Sequence, residues 1–275
     1  MNRALREYLC LILLFALSGC SLLPSRLPIG QEEKDDALRQ FKKMIVDQGR
    51  CSCCLDADVS ISLRNVVNAG SISGFLQGKE PSYLRFEGVN PLGMTEILAG
   101  TDGVDFRLIN VRQKKMYIGE SDAQKIQKYA GGRFPLQTSY YWLIGRIPPG
   151  PLDISGVSRD PEGNGYWVDI VYEKWHARST VLFSGPEGVV LQNIILGEEG
   201  DVLAGFIYEY AAGAADGGES PQGDGYICRY PKNITIKNAR GAIGIHFKQT
   251  YSDVEFDKNE FDIPLPKGFE KEVIK

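Results

Sequence analysis

The chain has 275 residues, 31 Lys+Arg against 35 Asp+Glu, a formal charge of −4 and 43% hydrophobic residues. That length supports one large core or two small ones, while a mildly acidic chain without a basic block is a poor candidate for binding nucleic acid. Beyond the first twenty residues no apolar run is long enough to span a bilayer as a helix.

The chain starts with Arg3 and Arg6, then an uncharged, mostly aliphatic run from Tyr8 to Leu17. A spanning helix takes about 20 apolar residues, so this shorter run suits the hydrophobic region of a secretory signal. It closes on Leu17-Ser18-Gly19-Cys20, which resembles the lipobox of bacterial lipoproteins. Small side chains at Ser18 and Gly19 let extended backbone enter a peptidase, and the Cys20 thiol can carry a thioether-linked diacylglycerol. The resemblance implies cleavage before Cys20 and two or three acyl chains on it. Burial stabilises by about 0.8 kcal/mol per methylene, so one chain holds marginally and two hold firmly. Ser21 stands where that class often carries Asp for inner-membrane retention, which points to an outer-membrane anchor facing the periplasm. The expected organisation is a signal peptide over 1–19, Cys20 with a flexible tether to residue 33, and a single domain over 34–275.

From Asp35 to Gln48, Leu38, Phe41, Met44 and Ile45 recur at helical spacing and Gly49 supplies a stop. Strands follow. Val59, Ile61 and Leu63 alternate with polar neighbours, as do Leu84 and Phe86, then Val104, Phe106 and Leu108. Further runs lie at Tyr166–Tyr172, Thr180–Phe183, Val189–Leu196, Leu203–Tyr210, Asn233–Lys237 and Ile243–Tyr251, with Gly/Asp turn clusters between them. Two helices are expected in the middle, one from Ser121 to Gly131-Gly132 and one from Thr138 or Ser139 to Gly145. Residues 211–225, small and polar, read as a loop inserted between strands. About ten strands without βαβ alternation predict a mainly β fold, a large antiparallel sheet curling into a barrel or half-barrel.

Cys51, Cys53, Cys54 and Cys228 remain after export into an oxidising compartment. Three readings stand: a disulfide from Cys228 to one of the other three, unpaired thiols, or a metal site with Cys228 as fourth ligand. The close spacing and the lack of a nearby His weigh against metal. No G-x-S-x-G, H-E-x-x-H or P-loop occurs, and the only histidines are His176 and His246, each alone in or near a strand. No catalytic residue, metal or cofactor is expected. The chain reads as a binding protein.

Asn90-Pro91-Leu92-Gly93, followed by Met94-Thr95-Glu96, resembles the N-P-L-G-x-T-E motif of the LolB family, outer-membrane receptors that accept lipoproteins from a periplasmic carrier. Phe134-Pro135-Leu136, Tyr141-Trp142-Leu143-Ile144-Gly145 and Ile147-Pro148 resemble that family's P-L … W-L-x-G-L-P helix and exit, in the same order. The match lies within Val59–Gly150. The ending Phe261-Asp262-Ile263-Pro264-Leu265-Pro266-Lys267-Gly268 looks more like the related LolA-type carriers, and the cysteine cluster and the 211–225 loop depart from the pattern. The resemblance implies a half-open antiparallel barrel whose helices form a lid over an apolar cavity. Leu136, Trp142 and Leu143 would belong to cavity or lid. Leu92, flanked by Pro91 and Gly93, would protrude and place cargo in the membrane. The expected ligands are lipoprotein acyl chains, and the expected partner is a LolA-like carrier met by a monomer. The competing reading is an envelope-assembly lipoprotein that uses the same fold for another apolar ligand or a protein partner.

Overall fold

The computed structural model describes residues 23–65, 69–120, 136–173, 177–197, 199–211, 228–238, 241–251 and 254–275. Cys20, His176 and the helix expected from Ser121 to Gly132 lie outside them, as does most of the 211–225 loop.

Helix α1 (Gln31–Gln48) starts four residues before the expected Asp35. It buries Ala37, Phe41 and Met44, one face at i, i+4 and i+7, and leaves Val46 to solvent. Six strands follow: β1 (Cys54–Asn65), β2 (Ala69–Lys79), β3 (Tyr83–Val89), β4 (Thr95–Thr101), β5 (Asp105–Asn110) and β6 (Lys115–Glu120). A 3-10 turn at Leu136–Thr138 leads into α2 (Ser139–Leu143). Then come β7 (Asp153–Arg159), β8 (Tyr166–Tyr172), β9 (Ala177–Ser184), β10 (Val189–Leu196), β11 (Val202–Glu209), β12 (Asn233–Asn238) and β13 (Gly241–Tyr251), with β14 (Glu270–Val273) last.

Among the described residues these strands make one sheet in the order β14-β6-β5-β4-β3-β2-β1-β13-β12-β11-β10-β9-β8-β7. Every pairing is antiparallel except β14 with β6. The seam between the two meanders is β1 against β13, where Val59, Ile61 and Leu63 face Phe247, Ile245 and Ile243. Matching apolar periods across that pair put all six side chains on one face. The sheet is not closed: β7 and β14 are its two ends. It is the half-open barrel that the alternation predicts, with more strands than the apolar runs alone disclose.

The inner face carries the main core. Phe41 and Met44 of α1 and Tyr140 through Ile144 at α2 pack there with Val168, Phe183, Ile195, Phe206, Tyr208, Ile234 and Phe247. The Phe41 and Phe183 rings lie 5.0 Å apart. On the outer face the C-terminal segment acts as a strap. Ile263 packs with Ile109 of β5 and Met116 of β6, Arg107 pairs with Asp262, and β14 then extends the edge of β6.

The segment expected as a free tether is held from Arg26 onward. Leu27 exchanges backbone hydrogen bonds with Arg159 at 3.0 and 2.9 Å. Arg26 Nη1 donates to both carboxylate oxygens of Asp169 at 2.8 and 2.7 Å, its Nη2 donates to Thr180 Oγ1 at 3.1 Å, and the guanidinium lies 5.7 Å from the Trp167 ring centroid. A guanidinium whose Nη1 bonds both oxygens of one carboxylate, whose Nη2 bonds a hydroxyl and whose plane lies by an indole fixes the chain that carries it. The two side chains keep 25% and 33% of their surface exposed, so solvent screens the pair. Arg26→Ala should therefore cost about 1 kcal/mol in chemical unfolding and expose residues 23–30 to proteases. An unchanged digestion pattern would rule out the pinning role.

Candidate functional site

Two features stand out: an exposed tip between β3 and β4, and the inner face under α2. The tip is built by Asn90. Its side-chain Oδ1 accepts hydrogen bonds from the backbone N–H of Leu92 at 2.9 Å and of Met94 at 3.0 Å. Its own backbone N–H donates to the Met94 carbonyl and its carbonyl accepts from Gly93 N–H, both at 2.9 Å. Gly93 sits at φ +78°, a left-handed conformation that costs a residue without Cβ nothing. Asn90 and Gly93 thus each do a distinct job in holding a tight turn. What the turn displays is apolar: Leu92 is 82% exposed and Met94 56%. At the tip's base the Thr95 hydroxyl donates to the Glu87 carboxylate.

The alternation of the meander places the β1–β2, β3–β4 and β5–β6 connections at one end of the sheet. Exposed Leu63 and the basic side chains Arg64, Arg112 and Lys114 lie at that end with the tip.

At the inner face α2 is wedged deep. Trp142 and Leu143 are buried in the core and Leu136 is half-buried. Tyr208 Oη donates to the Trp142 carbonyl at 2.6 Å, and the Trp142 and Phe206 rings lie 6.3 Å apart. Gly145 ends the segment at φ +67°, where a Cβ would come within 2.6 Å of Tyr210 Oη. Beyond it the buried Arg146 donates from Nη1 to the Ser52 carbonyl at 3.1 Å and lies 5.0 Å from the Tyr230 ring centroid. The backbone N–H of Ile147 donates to Gln48 Oε1 at 3.2 Å. Burial pushes the Tyr140 and Tyr141 phenols up, and it pushes Glu80 up against the opposing pull of Arg146. The described part of the hollow is thus filled by the chain's own aromatic side chains.

Of the four cysteines, Cys51 is bonded to Cys228. Cys53 and Cys54 are free thiols with their sulfurs 3.1 Å apart, and burial together with the hydrogen bond to Cys53 pushes the Cys54 thiol up to about 11. No cluster of three metal-ligating side chains occurs among the described residues. His246 is exposed on β13, its Nδ1 2.7 Å from Asn233 Oδ1.

Sequence reasoning passed over Asn193. It sits in β10 within Val189-Val190-Leu191-Gln192-Asn193-Ile194-Ile195-Leu196 and is only 1% exposed. The signal was present: a polar pair interrupts an otherwise continuous apolar run. Alternation alone does not say which of the two polar residues points inward.

No protein-family model matches the chain, and no curated protein matches its sequence. Solved structures do match its shape. A DUF1329 family protein from Desulfovibrio piger aligns over 83% of this chain and 96% of its own, at 10% identity and a TM-score of 0.53. A domain from Vibrio parahaemolyticus, whose name provisionally places it among outer membrane lipoprotein-sorting proteins, aligns over 83% of this chain and 97% of its own, at 10% identity and a TM-score of 0.51. What the chain shares with these proteins is a fold, a large antiparallel sheet that does not close. At such low identity the likeness extends to architecture alone.

Proposed function

We propose that this protein is an outer-membrane lipoprotein, anchored through Cys20 and facing the periplasm, that receives the acyl chains of other lipoproteins from a soluble carrier and delivers them to the membrane. It is a binding protein and not an enzyme. The observation that carries the reading is Leu92, 82% exposed on a turn stiffened by the Asn90 side chain. A large aliphatic side chain held out in water forfeits burial, about 1.5–3 kcal/mol for a leucine, unless another apolar phase receives it. Met94 beside it and the cations at the same end of the sheet suit the headgroup region of a bilayer.

The open sheet supplies the rest. Acyl chains carry no polar handle over most of their length, so their receptor needs a large apolar inner wall and few specific groups. Depletion tests the whole assignment: cells without the protein should accumulate other lipoproteins on the carrier or in the inner membrane, and normal sorting would refute it. Cys20→Ser should abolish labelling by a fatty acid and release the protein from the outer membrane, whereas persistent labelling would remove the anchor from the proposal.

A further inference from the structure

Among the described residues, the inner wall carries a carboxamide with nothing to bind. Asn193 is 1% exposed, and both its carboxamide nitrogen and its carboxamide oxygen lack a hydrogen-bond partner. Its neighbours across the sheet are Val181 on β9 and Phe206 on β11, two members of the main core. The alternation along β10 sets Asn193 on the same face as Ile195 and puts Ile194 on the other, where it packs with Trp167 and Leu182. The amide therefore points toward the α2 side of the sheet, close to where Trp142 meets Phe206.

A buried carboxamide left unpaired at both ends is costly, and an apolar residue of similar size in its place would relieve that cost. Such a group is retained where something else completes it. A primary carboxamide offers a donor and an acceptor side by side. A trans secondary amide presents its N–H and its carbonyl on opposite sides, so one of them meets this carboxamide, and its N–H can donate to Asn193 Oδ1. An ester has no hydrogen to donate to that oxygen.

We propose that Asn193 is the polar recognition point of the acyl-binding face, and that its carboxamide oxygen accepts the N–H of the secondary amide of an N-acyl group. This rests on the acyl-binding reading above and narrows it: the chain that reaches β10 is the amide-linked one, and ester-linked chains take the purely apolar wall. Access requires α2 to withdraw from Phe206, which breaks the Tyr208–Trp142 hydrogen bond and leaves the strands in place.

The test uses N-methyldodecanamide and methyl dodecanoate, which differ at the linkage by an N–H in place of an oxygen. Both are titrated into the full mature protein and into Asn193→Leu, with tryptophan fluorescence as the readout. The ratio of amide to ester affinity should be about tenfold higher in the native protein than in the variant, the amount one net hydrogen bond supplies. The variant should also melt at a higher temperature, since it removes an unpaired buried group. Asn193→Val serves as a second variant, with a strand-compatible side chain, where Leu does not fold. If both ligands bind and the ratio is the same in native protein and variant, the amide recognition is overturned and the acyl-binding reading stands. If neither ligand binds the native protein, both fall together.

Discussion

Leu92→Glu should leave thermal stability almost unchanged and still abolish delivery of cargo to liposomes. The side chain is 82% exposed, so its replacement forfeits little buried area, and surface substitutions generally stay within about 0.5 kcal/mol. The turn does not depend on it, because the Asn90 side chain and the left-handed Gly93 hold the backbone. Its role, as proposed, is contact with lipid, and a carboxylate at that tip opposes entry into the apolar part of a bilayer. Loading of acyl chains onto the inner face should survive, since the tip lies outside the core. Circular dichroism on heating and a liposome-transfer assay, run on one variant, separate the outcomes. A drop of several kcal/mol would mean the leucine packs inside, and undiminished transfer would remove its membrane role.

The second large effect concerns the Cys51–Cys228 bond. Its sequence separation is 177, so it closes most of the domain into one loop. On the chain-entropy account a closure of that length stabilises the folded state by about 5 kcal/mol, and engineered cases often realise less. In a domain of this size each kcal/mol moves the melting point by about 2–4 °C. The Cys51→Ala, Cys228→Ala double variant should therefore melt on the order of 10 °C lower. The bond also ties the approach to β12 to the end of α1, and Ser52 beside it accepts from Arg146 and Tyr140. Its loss should loosen the α2 segment, so acyl-chain uptake should be faster in the variant even as stability falls. A melting point within 2 °C of the native protein's would show that the disulfide contributes little, 2 °C being about the effect of 1 kcal/mol here.

The sequence disclosed much of this, for a local reason. Alternation with period two and Gly/Asp turns are properties of neighbouring residues, so most strands from Val59 to Tyr251 were legible without knowing their partners. The exposed Leu92 was not legible in the residue pattern, which favours a packed loop leucine; only the resemblance to a family motif pointed to it. What failed was short or masked by composition. β14 is four residues of mostly charged chain, Glu270–Val273, and becomes a strand only because β6 offers it an unpaired edge. Residues 26–30 read as tether because Pro and Gly break periodicity, yet Asp169 and Trp167, distant in sequence, bind Arg26 and order them.

By itself, then, the sequence determined the strand-rich character and the aromatic run Tyr140-Tyr141-Trp142. Only the tertiary structure decided that β1 lies against β13, that Cys228 meets Cys51 and not its neighbours, and that Asn193 rather than Gln192 turns inward. The physical reason is the range of the interactions. Periodicity and turn chemistry act over a few residues and are written locally. Pairing, burial and disulfide choice depend on which distant surfaces come together, and many strands of similar apolar pattern leave those choices open until they pack against one another.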